Sequence, residues 1–133
     1  MAWVAEPEST HHEITSYGGD QALMYQNLTS LTGSLILPAV DIVSPAGTAV
    51  QNARAYLPQK LTRDDFHLSY GLGRYIAALT FLKTLCGIDI SGVTWCPDGV
   101  TVQEREIAKK AAEAAAKVPF AVSPLHLSCT ADE

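Results

Sequence analysis

The densest group of ionisable side chains is Arg63-Asp64-Asp65-Phe66-His67, which places a carboxylate three residues before a histidine. An imidazole held by a carboxylate is the base of a catalytic triad: it takes a proton from a hydroxyl nucleophile, while the acid fixes its tautomer and stabilises the imidazolium. A spacing of three on one loop lets the two groups meet without long-range folding. Asp64 is therefore the candidate acid and His67 the candidate base. Asp65 is the alternative acid, because neighbouring carboxylates on a loop can exchange roles. Alone, D-x-x-H is a common string that also fits two solvated aspartates and a histidine at a helix start.

Other groups offer less. His11, His12, His67 and His126 could be grouped as a metal site, but zinc needs convergent ligands and adjacent histidines usually point apart. They read as polar loop residues; in a parallel α/β fold, where loops after the strands gather at the site, His11 would stand near its rim. Cys86, Cys96 and Cys129 form no C-x-x-C pair and leave one thiol unmatched, so a disulfide framework is not expected. Trp3, Tyr17, Tyr25 and Trp95 could form a sugar-stacking surface, which would make the chain a carbohydrate-binding module; Tyr25 reads instead as core. Of the serines, Ser44 and Ser69 read as helix caps and Ser91 as a turn residue. Ser34, in Thr32-Gly33-Ser34-Leu35, only imitates a nucleophile block, and none has G-x-S-x-G geometry.

The elements that must position these groups follow from periodicity. Short apolar runs alternate with helical periods, the signature of an α/β fold with a parallel sheet. A strand is expected over Met1–Ala5, ending at Glu6-Pro7, and a second over Ala39–Val43. A helix from about Asp20 to Leu31 carries Met24, Tyr25, Leu28 and Leu31 on one stripe and closes at Gly33-Ser34. Ser44 as N-cap and Pro45 at the first helical position open another helix, with Ala49, Val50, Ala53 and Leu57 facing inward and Pro58 ending it. The loop Gln59–Leu68 holds Asp64 and His67. The strongest helix runs from about Tyr70 to Cys86, with Leu72, Tyr75, Ile76, Leu79, Leu82 and Leu85 on its stripe and Gly87 as its left-handed stop. The last runs from about Val102 to Val118, opened by the capping box Thr101-Val102-Gln103-Glu104. Its inner face of Ile107, Ala111, Ala115 and Val118 suits close helix packing. Residues 1–120 form one domain portion, and 121–133 read as a flexible tail.

With 133 residues, the length suits one domain, and 47% hydrophobic residues exclude intrinsic disorder. Nine Lys+Arg against 14 Asp+Glu give a net charge of −5, which argues against a nucleic-acid partner. No run approaches the roughly 18 apolar residues that cross a bilayer, so no membrane association is expected. MAWVAEPEST has neither a basic nor a long apolar region, so the chain as written reads as cytoplasmic.

Beyond these readings, Asp64 to Ser69 followed by Gly71-Leu72-Gly73-Arg74-Tyr75 resembles the last block of SGNH (GDSL-type) hydrolases, where a D-x-x-H loop precedes a glycine- and tyrosine-containing helix. Pro45-Ala46-Gly47-Thr48-Ala49 resembles the P-x-G-x-A helix start of an uncharacterised, domain-of-unknown-function branch of that superfamily. Ala2-Trp3-Val4 with Ser9-Thr10-His11, and Tyr17 to Ala22, are similar to that branch's strand, loop and helix entrance. The resemblance covers about residues 1–120. It implies a three-layer α/β/α, flavodoxin-like fold and hydrolysis of a small-molecule or carbohydrate ester, such as an acetylated one, without metal or other cofactor. His67 matches the family's base and Asp64 its orienting acid.

The family's G-D-S or G-N-S nucleophile block and its oxyanion glycine and asparagine have no match in this sequence. Two strands are also too few to bury four helices. The chain thus resembles the C-terminal half of such a hydrolase, with the first strands and the nucleophile upstream of Met1. Such a half would be inactive alone, and its open sheet edge would be a template for self-association. A truncated, catalytically inactive product is the competing reading.

Overall fold

The computed structural model describes residues 4–127. It is helical: α1 (His12–Thr15), α2 (Gln21–Leu31), α3 (Ala46–Arg54), α4 (Leu72–Leu85) and α5 (Val102–Lys117), with a π-helical turn (Thr32–Ile36) and a 3-10 turn (Leu37–Ala39) after α2.

The three-layer α/β/α fold is not what forms. The β pairing among the described residues is a single antiparallel bridge, Thr62 to Leu68. A strand is held by a ladder, and among the described residues neither expected strand has one. Val4 and Ala5 are buried, but the carbonyl of Val4 accepts from the Arg54 guanidinium and that of Ala5 from the Gln21 side-chain amide. In 39–43 Val40 has an extended backbone (φ −136°, ψ 154°), yet Val40 and Ile42 are exposed. Met1 to Trp3 lie outside the described residues. Without a sheet, the open edge inferred as a self-association template is also not present among the described residues.

The core is a three-helix arrangement in which α3, α4 and α5 pack pairwise. Ala108, Ala111, Ala112 and Ala115 of α5 are fully buried, so the small side chains bring the helices close, as their spacing suggests. They meet Ala49, Val50 and Ala53 of α3 and Tyr75, Ile76 and Leu79 of α4. On α4 burial ends at Thr80, leaving Leu82 and Leu85 of the expected stripe more than a third exposed. Gly87 does take the left-handed conformation (φ 65°) that follows that helix. The Thr101–Glu104 capping box forms: the Glu104 amide donates to Thr101 Oγ1 at 3.2 Å, and the Thr101 amide to the Glu104 carboxylate at 2.7 Å.

Two other expectations about helix ends are corrected. Gly33-Ser34 does not close α2. The Thr32 hydroxyl and amide both return to the α2 carbonyls, and the chain winds on through the π turn to Pro38. Ser44 is not a cap: Pro45 occupies the N-cap position of α3, and Ser44 Oγ is buried without a hydrogen-bond partner among the described residues.

A second, smaller core of Ala5, Ile14 and Met24 takes in Tyr17, Leu28 and Phe66. Tyr25 joins it to the helices through a hydrogen bond between its hydroxyl and Thr48 Oγ1 at 2.9 Å. Beyond α5 the chain is tied down as far as Leu125: the Ser123 amide donates to Asn52 Oδ1 and the Leu125 amide to the Tyr56 hydroxyl, both at 2.8 Å.

Candidate active site

The loop between α3 and α4 closes on itself. The Ser69 amide donates to the Leu61 carbonyl at 2.8 Å, and the Arg63 amide to the His67 carbonyl at 2.9 Å, which makes residues 61–69 a short hairpin with Asp64 to Phe66 at its tip. Asp65 takes a positive φ of 61°, the conformation that aspartate tolerates better than most residues. Three anchors fix the hairpin. Phe66 packs into the smaller core, the Glu6 amide donates to the Asp65 carbonyl at 2.7 Å, and Ser69 Oγ accepts the Gly73 amide at 2.9 Å at the start of α4. Ser69 thus serves an amide in the first turn of α4, but it is not the expected cap: Gly71 occupies the N-cap position.

Glu6 joins these parts, and its only signal in the sequence is an acid at the end of an apolar run. Its carboxylate is 2.8 Å from Arg54 of α3 and accepts the Thr62 hydroxyl at 3.1 Å. Burial pulls the Arg54 guanidinium below its usual value, and Glu6 opposes that shift.

At the tip, Asp64 Oδ2 lies 2.8 Å from His67 Nδ1, while Oδ1 accepts the His67 amide at 2.6 Å and the Phe66 amide at 3.2 Å. These bonds hold the Asp64 carboxyl at about 2; the His67 amide has the largest effect and the imidazole the next. An ionised carboxylate only accepts, so a neutral His67 bonded to it must carry its proton on Nδ1. Its Nε2 is then a lone pair with no partner among the described residues. Asp65, the alternative acid, is turned elsewhere and holds Lys60 at 2.7 Å.

His67 is half-exposed, with 52% of its side chain accessible, and lines a cleft of about 250 Å³ with Val4, Arg63, Phe66, Leu68 and Arg74. His11 reaches the same place: its ring stacks on Phe66 at 4.0 Å and lies edge-on to His67 at 6.3 Å. Arg63 and Arg74 both lie over the Tyr70 ring, with Cζ 4.8 and 4.5 Å from its centre. The i,i+4 spacing of Tyr70 and Arg74 was the sequence signal for half of that stack.

The remaining candidates lie elsewhere. Ser34 is exposed in the π turn, and Ser91 is a turn residue whose amide donates to Asp89. His12 is exposed beside Glu13, and among the described residues no three His, Cys, Asp or Glu side chains group to hold a metal ion. Trp95 is 69% exposed with its ring against Tyr75, whereas Tyr25 is buried. Cys86 and Cys96 are free thiols; Cys129 and Trp3 lie outside the described residues. No described helix is long and apolar enough to cross a membrane.

A crystal structure at 1.50 Å of a DUF4886 family protein from Bacteroides uniformis ATCC 8492 is similar to this chain, with a TM-score of 0.83 and 28% sequence identity. The match covers 92% of this chain and 48% of that one, so the chain spans about half the length of that protein. No curated protein matches. The family profile described as "Domain of unknown function (DUF4886)" matches residues 1–115, and the chain belongs to that family.

Proposed function

We propose that this chain carries the acid and base of a serine-type ester hydrolase of the SGNH kind, with the nucleophile supplied from outside these 133 residues. The observation that supports this most is the Asp64–His67 pair: one carboxylate oxygen on Nδ1, the other locked by two backbone amides, and Nε2 left free beside a cleft. The match to only 48% of a longer relative leaves room for the missing parts.

In the proposed reaction Nε2 of His67 takes the proton of a serine hydroxyl as its oxygen attacks the ester carbonyl, and Asp64 stabilises the imidazolium. The imidazolium then protonates the departing alkoxide, leaving an acyl-serine. Water attacks that acyl group, gives a proton to His67, and the carboxylic acid leaves as the serine is reprotonated. Oxyanion donors, worth roughly 3–4 kcal/mol each, would come with the nucleophile.

Two measurements test this. The purified 133-residue chain is expected to leave p-nitrophenyl acetate unhydrolysed; turnover lost in His67→Ala would refute an outside nucleophile. In the longer Bacteroides uniformis relative, a fluorophosphonate probe is expected to label one serine. Labelling should collapse when alanine replaces the residue that superimposes on His67. Undiminished labelling would refute the assignment of the base.

A further inference from the structure

We infer that the cleft beside His67 takes an ester whose non-reacting end is an oxyanion, a carboxylate above all, and that Arg74 and Arg63 are the residues that select it. This rests on the proposed role of His67.

Arg54, Lys60, Arg105, Lys109 and Lys110 each have a carboxylate within 4.0 Å. Arg74, like Lys83 and Lys117, has none among the described residues, but of these three it alone lines the cleft, where its side chain lies over the Tyr70 ring. Arg63 is only partly engaged, with Nη1 donating to the Leu68 carbonyl at 3.1 Å and Nε 3.9 Å from Asp64. Placing two guanidinium groups over one ring brings like charges together in a chain of net charge −5. Arg74 also stands in the first turn of α4, where the helix dipole disfavours a cation. An anion bound in the cleft that both line would relieve both costs.

The geometry suits that occupant. A guanidinium lying over a ring keeps its N–H edge available, and that planar fork matches a carboxylate with two parallel hydrogen bonds. Val4, Phe66 and Leu68 supply apolar walls that strengthen an ion pair beside them. At about 250 Å³ the space falls below the roughly 300 Å³ at which drug-sized sites begin, so the acid is a small one.

The test uses two esters of equal length and different charge, monomethyl succinate and dimethyl succinate, titrated into this chain and followed by NMR. The monoanion is expected to bind about tenfold more tightly or better, as one charge-assisted pair implies, with shifts at His67, Arg63 and Arg74. Arg74→Gln should abolish the preference, and Arg74→Lys should keep part of it. Arg74 is exposed, and a cooperative melt of each variant checks that it folds. Equal affinity for both esters, no binding of either, or a preference that survives Arg74→Gln would overturn the inference. Such a result leaves the fluorophosphonate test of His67 untouched, so the two failures are distinguishable.

Discussion

Asp64 accepts from two backbone amides and meets the His67 ring, and those bonds have a measurable consequence at the scale of the residue. A carboxyl NMR titration should give Asp64 a midpoint at about 2, against the usual 3.8. In His67→Ala the midpoint should rise only part of the way, because the residue-67 amide, the largest cause, remains. A midpoint in the ordinary range would mean the hairpin tip is not formed. Since the folded value is depressed, the stabilisation from Asp64 is fully present above the unfolded value and is lost as pH falls toward 2.

Among the elements, the hairpin and α4 depend on one glycine. A Cβ on Gly73 would lie 2.3 Å from the Leu61 carbonyl oxygen and 2.8 Å from Ser69 Oγ, the atoms that close the base of the hairpin and bond the first turn of α4. Gly73→Ala should therefore destabilise the chain by about 1–3 kcal/mol, despite the better helix propensity of alanine. An unchanged urea midpoint would contradict this packing. Glu6→Ala, which strands the buried Arg54 guanidinium, should cost about 3–5 kcal/mol in the same experiment, and Glu6→Gln less. A loss below about 0.5 kcal/mol would contradict the role given to Glu6. Much of this scale was legible beforehand. The capping box, the alanine face of α5, the inner face of α3 and the loop joining Asp64 to His67 all depend on neighbours within a few turns of chain. Neither expected strand has a ladder among the described residues because an apolar run specifies burial, not pairing, and Val4–Ala5 is buried against side-chain donors instead. Glu6, His11 and the Arg63–Tyr70–Arg74 stack were missed or only partly seen because their partners lie on separate segments.

At the scale of the whole molecule, apolar surface is left uncovered on two segments: Leu35, Ile36 and Leu37 in the turns after α2, and Phe81, Leu82 and Leu85 at the end of α4. Exposed apolar side chains in such groups favour association. The isolated chain should elute from size exclusion as dimers or larger, and Ile36→Lys with Phe81→Lys should shift it toward monomer; a monomeric wild-type chain that binds no apolar dye would contradict this. The functional proposal depends on something smaller, the position of a single proton. The direct measurement is the tautomer of His67, read from ¹⁵N shifts of the isolated chain at a pH where the ring is neutral. The expected result is a proton on Nδ1 and a bare Nε2, lost in Asp64→Asn. A neutral ring protonated on Nε2 in the wild-type chain would contradict the assignment of His67 as the base.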